Sequence, residues 1–206
     1  MSASADSAFP RSHERTAVHR RRLRAIDAFI DLVLEGHLPP NPKQVAERAK
    51  ISMATFFRYF ENLNSMRRDA AVRMAERFPL LEIEAIGEGP LKERVERFTD
   101  LRVKLWEKVH LLALLQRSTT LHDSDAAEMI EDVRHMMAQQ IQEHFAPELQ
   151  RLTTGQREDA VALIATLTSV ESWEQYRNAY KRSPLQTRRS WTHTIYATLA
   201  AAEDSH

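Results

Sequence analysis

Five side chains able to meet a nucleic acid fall within the seven residues 52–58 (SMATFFR) of this 206-residue chain. Met53 and Thr55 can touch thymine methyl groups. Ser52 or Thr55 can donate to a phosphate oxygen, and Arg58 can reach a guanine edge or a backbone oxygen. Phe57 adds an outward aromatic ring. A second gathering, His122, Asp125, Glu128, Glu131 and His135, places Glu131 and His135 one helical turn apart. A metal ion needs a further ligand pair at an established spacing, so this stretch reads as the solvated acidic start of a helix, and no metal is expected. Disulfides and thiolate sites are impossible in a chain without cysteine. There is no phosphate-cradling glycine pattern, G-x-S-x-G elbow or H-E-x-x-H pair, so neither an enzyme nor a cofactor is expected.

The scaffold for 52–58 is the stretch 41–60 (NPKQVAERAKISMATFFRYF). Asn41 is a good N-cap, Pro42 suits the first helical position, and Gln44 at N3 can bond back to Asn41. Val45, Ala46 and Ala49 give one apolar face. Lys50-Ile51-Ser52 reads as a turn, with Ser52 capping a second helix over Met53 to Tyr59. Ala46 is small enough for the second helix to cross close over the first, and Ile51 and Phe56 fill the angle. The spacing suits a helix-turn-helix. On these two helices alone, an αα-hairpin that only packs is the competing reading.

Charge supports the first reading. The net charge is zero, yet residues 1–78 carry 14 Lys+Arg and 9 Asp+Glu, and residues 79–206 carry 15 and 20. A basic N-terminal third on an acidic body is the footprint of a module that touches phosphates. Residues 1–10 are small and polar and are expected to be disordered. Arg11, Arg15, Arg20, Arg21, Arg22 and Arg24 follow against the single acid Glu14 and read as a basic arm. A helix is expected over 20–35 from Leu23, Ile26, Phe29, Ile30 and Val33, stopped by Gly36. Asn62 can cap a further helix carrying Met66, Ala70, Met74 and Phe78, ended by Pro79.

These residues reach a family pattern. The segment resembles the DNA-binding domain of the TetR (tetracycline-repressor-like) transcriptional regulators, whose motif runs V-A-x-x-A-G-V-S-x-x-T-x-Y-x-H-F between a first helix and a capped fourth. Val45, Ala46, Ala49, Ile51, Ser52, Thr55, Phe56, Phe57, Arg58, Tyr59 and Phe60 stand in register with it. The motif covers about 20 residues and the whole domain about 60. Three positions depart from it. Lys50 replaces the turn glycine, at about 1–2 kcal/mol if it holds the left-handed conformation. Phe57 replaces a tyrosine and Leu63 a lysine, removing two phosphate contacts, for which Lys43, Arg48, Lys50, Arg58 and Arg67 are candidate substitutes. The expected DNA-binding set is Arg22, Lys43, Ser52, Met53, Thr55, Phe57, Arg58 and Tyr59.

The body reads as helical throughout. After a loop-like link at 79–89, helices are expected at about 91–117, 123–145 and 156–181, and a last one opens on the Ser183-Pro184-Leu185-Gln186 capping box. Trp106, Met129, Val133, Met136, Trp173 and Tyr176 either fill the core or line an apolar pocket for a small-molecule effector, as the resemblance implies. Val170, Trp191, Ile195 and Leu199 lie on broad apolar faces that suit half of a four-helix bundle, with a second copy supplying the rest; the competing reading is a monomer in which both faces bury internally.

The fold class expected is all-α: a disordered basic arm (1–19), a helix-turn-helix DNA-binding domain with its connecting helix (20–78), and a helical effector-binding and dimerisation domain (79–206). The polar N-terminus has no secretory h-region, and no apolar run nears the roughly 18–20 residues that span a bilayer, so a cytoplasmic protein with no membrane partner is expected. The function implied is a homodimeric regulator, a repressor released from a palindromic double-stranded operator by a small-molecule effector. The alternative is a homodimeric DNA-binding regulator with no such effector, controlled by a partner protein or by expression level.

Overall fold

In the computed structural model, residues 9–78, 86–118, 120 and 123–200 are described, with side chains from Thr16 onward and excepting Ala75. The polar stretch 1–8, the link residues 79–85, His122 and Ala202 lie outside them. The molecule is all-α, with no strand among the described residues. It divides into two compact units, Met1–Arg77 and Phe78–His206, called here the head and the body.

The head holds α1 (Phe9–Leu34), α2 (Pro42–Ala49), α3 (Met53–Tyr59) and α4 (Leu63–Arg77). Its core is built from Ala25, Ile26, Phe29, Ile30 and Val33 of α1, Val45 and Ala46 of α2, Phe56 of α3, Phe60, and Met66 and Ala70 of α4, all buried. Each large apolar side chain contributes about 1.5–3 kcal/mol on leaving water. One expectation changes here. The first helix starts at Phe9, eleven residues ahead of the expected 20, so the arginine-rich stretch from Arg11 onward is helix backbone and not an irregular arm. The charged residues of that stretch carry no apolar stripe, and periodicity is blind to a helix without one.

Four ion pairs among the described residues tie α1 to α4, the longest being Arg77 to Asp27 at 4.0 Å. Arg22 donates to Asp69 at 2.5 Å, Arg73 to Asp27 at 3.0 Å and Arg77 to Asp31 at 2.6 Å. The partners advance together along both helices, so α1 and α4 run in the same direction with matched rungs.

The body is built around α5 (Leu91–Arg117), followed by α6 (Ser124–His144), the short α7 (Ala146–Leu149), α8 (Thr154–Leu167), α9 (Val170–Glu174), which continues into a π-helical turn at Gln175–Ala179, and α10 (Pro184–Ala200). Val95 and Phe98 of α5, Ile141 of α6, Phe145, Leu149 of α7, Ile164 of α8, and Ile195 and Leu199 of α10 form one apolar cluster. The buried guanidinium of Arg94 ties α5 to α7 through Glu148, and also donates to the Gly89 and His144 carbonyls at 3.1 and 2.9 Å. The expected single helix over 156–181 is broken. Thr168 donates back to the Ile164 carbonyl at 2.8 Å, and Ser169 caps α9 by accepting from the Ser172 N–H at 3.2 Å. These hydroxyls satisfy the backbone groups that a helix end leaves open.

Candidate nucleic-acid interface and ligand site

The capping chemistry of 41–60 forms α3 and fixes its angle. Asn41 accepts from the Gln44 N–H at 2.9 Å while its own N–H donates to Gln44 Oε1 at 2.8 Å, and Pro42 stands at the first turn. Lys50 takes the left-handed conformation (φ 55°, ψ 48°) that the family motif gives to glycine. Its N–H donates to the Glu47 carbonyl at 3.2 Å, and Ile51 N–H donates to the Ala46 carbonyl at 3.0 Å. Ser52 then caps α3 by accepting from the Thr55 N–H at 3.1 Å. The Ser52 and Thr55 hydroxyls lie 3.0 Å apart at the start of α3.

Phe56 is sealed in the core and stacks edge-on against Phe57 at 5.3 Å and tilted against Phe60 at 5.4 Å. Around that anchor the rest of the helix surface is open. Met53 is 39% and Phe57 55% exposed, Ser52 and Arg58 are exposed, and Thr55 is half-buried. The Arg58 guanidinium lies 5.5 Å from the Tyr59 ring, so its charge is held over the end of α3. A helix end that offers a free guanidinium, two hydroxyls, a thioether and an aromatic ring can meet phosphate oxygens and base edges together.

Two expected contact residues are placed otherwise. The Arg22 guanidinium is engaged by Asp69 and lies 5.4 Å from the Phe60 ring, so it staples α1 to α4. Tyr59 is half-buried and its hydroxyl is buried without a partner, turned away from the face that carries Phe57. Of the substitute cations, Arg48 is held by two bonds to Glu35 at 2.8 and 2.7 Å, which keep the Glu35 carboxyl below its usual range. Arg67 is partly buried and contacts Asn64 at 3.4 Å. Lys43 is exposed beside Glu47 at 4.0 Å, and Lys50 is exposed. Arg20, Arg21 and Arg24 of α1 are exposed as well.

In the body, Trp106 and Trp173 are buried, whereas Met129, Val133, Met136 and Tyr176 are half-buried. Trp106 Nε1 donates to the Thr168 carbonyl at 2.8 Å. Trp173, Trp191 and Tyr176 form a chain of edge-to-face rings about 6.2 Å apart. A groove of about 810 Å³ runs between the π-helical turn and α10, lined by Tyr176, Tyr180, Arg182, Arg189 and His193 among others. Tyr176 belongs to the expected pocket set. Among the described residues, no group of three or more His, Asp or Glu side chains is placed to hold a metal ion.

The dimer-interface assignment of Val170, Trp191, Ile195 and Leu199 is corrected. All four are buried within one protomer, so none is available to a second copy. The periodicity correctly marks an apolar stripe, but the stripe of α10 packs on α5 of its own chain. The apolar surface that α8 and α10 leave exposed is Leu163, Leu185 and Tyr196.

Arg102 escaped sequence reasoning. It sits one turn from Phe98 and one from Trp106 on α5 and is only 1% exposed. Burial pushes its pKa down to about 10, which leaves it charged at neutral pH. The signal was available: an arginine inside an i, i+4 run of large aromatics has nowhere to go but inward.

No family model matches the chain, and no curated protein does. Among solved structures, the crystal structure of SCO7518 from Streptomyces coelicolor A3(2), described as a candidate transcriptional regulator, aligns with a TM-score of 0.60 at 21% identity. The alignment covers 87% of this chain and 98% of that one. At that identity the likeness establishes a shared all-α fold across most of both chains.

Proposed function

We propose that this protein is a TetR-like transcriptional regulator, not an enzyme, that binds a palindromic double-stranded operator as a homodimer. The observation that carries the reading is the split of α3 between core and surface: Phe56 is fully buried in the head, whereas Met53, Phe57 and Arg58 are exposed. The Streptomyces neighbour, described as a candidate regulator of transcription, supports it. The contact set becomes Ser52, Met53, Thr55, Phe57 and Arg58 from α3, with Lys43, Lys50, Arg20, Arg21 and Arg24 toward phosphates. The second copy docks on Leu163, Leu185 and Tyr196.

Repression released by a small-molecule effector is the mode we infer. The body carries an aromatic interior and a helix, α6, whose Met129, Val133 and Met136 are only half covered. A ligand preferring the state whose recognition helices mismatch the operator weakens DNA binding by linkage.

Selection of bound DNA from a random pool tests the reading. The expected product is an inverted repeat whose half-sites lie about one helical turn, or a multiple, apart. Recovery of no enriched sequence, with no salt-dependent affinity for duplex DNA, overturns it.

A further inference from the structure

Arg102 is a full cation sealed inside the body. Its guanidinium carbon lies 5.1 Å from the Phe98 ring centre, and Nη2 donates to Gln140 Oε1 at 3.3 Å. Nε and Nη1 are buried with no hydrogen-bond partner among the described residues. A buried guanidinium with open N–H donors favours an anion, since burial strengthens the pairing and an unpaired interior charge is costly. Along α5, the residues one and two turns after Arg102 carry rings. Trp106 follows, its N–H already taken by Thr168, and then His110, beside Trp173, which meets Trp191. Trp191 Nε1 is also buried without a partner. One cation, one amide and a bank of rings suit a single negative charge on an apolar frame. A carboxylate is a monoanion that a guanidinium grips through charge-assisted N–H bonds, two in parallel where Nε or Nη1 acts together with the second N–H of Nη2.

We propose that Arg102 is the anion-recognising residue of a ligand site inside the body, and that its ligand is a monocarboxylate whose apolar or aromatic remainder lies along the Trp106 side of α5. The site rests on the effector-controlled reading above and names the ligand chemistry. Entry proceeds by displacement of α6. That helix buries only Ala126, Gln140 and Ile141, and its first half leaves Met129, Ile130 and Val133 half-covered.

The test compares acids with their amides on the full chain. Benzoate, 1-naphthoate and decanoate are each titrated calorimetrically and scored for melting shift beside benzamide, 1-naphthamide and decanamide, with chloride and sulfate as inorganic controls. The expected result is at least one acid bound tenfold or more tighter than its amide, raising the melting temperature by several degrees at roughly 100 times its Kd. Arg102→Met, which replaces the cation with an apolar chain of similar length, should remove that preference. No binding by any acid overturns the proposal, as does equal binding of acid and amide, or an acid preference that survives in Arg102→Met. A shift given equally by chloride or sulfate overturns the carboxylate assignment. The acid-amide comparison needs no variant, so it decides the matter even where Arg102→Met does not fold. An acid that binds yet leaves affinity for the selected DNA unchanged upholds the site and removes its control over DNA. Failure of every acid, with DNA binding intact, removes the site alone.

Discussion

At the scale of single residues, Arg58 and Lys50 make opposite predictions. Arg58 is exposed and, among the described residues, engaged only by the neighbouring Tyr59 ring. Arg58→Ala should therefore weaken operator binding by about 1–3 kcal/mol, measured by fluorescence anisotropy, with the head fully folded. Unchanged affinity and selectivity would remove Arg58 from the interface. Lys50 holds a left-handed backbone that a side chain disfavours. Lys50→Gly should stabilise the head by about 0.5–1 kcal/mol in a urea titration. The relief of strain exceeds the extra freedom glycine adds to the unfolded chain. A lower urea midpoint would mean that the lysine side chain contributes more than its backbone costs.

The local signals were the legible ones. Asn41, Pro42, Gln44 and Ser52 act within three or four residues of themselves, so their caps could be read without knowing the fold. Arg22 and Tyr59 could not be placed that way. Asp69 stands 47 residues from Arg22, and no short-range pattern reveals which of several arginines it takes.

At the scale of elements, the ion pairs between α1 and α4 make the two helices one body. Asp27 receives both Nε and Nη2 of Arg73, at 3.0 and 3.3 Å, and lies 4.0 Å from Arg77. Asp27→Ala should cost about 1 kcal/mol of head stability, at the upper end for partly exposed pairs because two arginines lose a partner. Thermal melting of the variant at low and high salt checks it: the gap to wild type should narrow as salt rises.

In the body, Glu171 of α9 joins Arg117 of α5 to Arg134 of α6, the latter at 2.9 Å. Burial alone would push its carboxyl up. Its own backbone N–H and the two guanidiniums outweigh that, and the carboxyl sits below its ordinary 4.5. A carboxyl depressed on folding adds stability that is complete above its unfolded pKa and is lost as pH falls through the folded one. Melting temperature should therefore drop on acidification below about 4.5, and Glu171→Gln should flatten that limb while lowering stability at pH 7. An identical acid limb in the variant would show that other carboxyls control it.

At the scale of the molecule, Ile195 and Tyr196 are adjacent on α10 and face opposite fates. Ile195 is fully buried in its own protomer and Tyr196 is 40% exposed. Ile195→Ala should cost about 2–5 kcal/mol as a core truncation. On the homodimer proposed above, the wild type should sediment as a dimer, and Tyr196→Glu together with Leu163→Glu should leave helical circular dichroism intact and yield monomer. A dimer that survives both charges would place the interface elsewhere. The sequence showed that α10 has an apolar stripe; it could not show what covers it. A helix of the same chain and a helix of a second copy demand the same spacing, and only the packing of α10 on α5 separates them. Arg102 was overlooked for the converse reason: a charge in a stripe interrupts the apolar count by which stripes are found, although Phe98 and Trp106 one turn to either side mark its face as inward.

The body holds all three tryptophans, Trp106, Trp173 and Trp191, whereas the head has none. Light emitted on excitation near 295 nm thus comes from one half of the molecule, and the other half is optically dark. Unfolding followed by that emission reports the body, and far-ultraviolet ellipticity reports both halves. Any divergence between the two traces measures how far the halves melt independently, with no label attached.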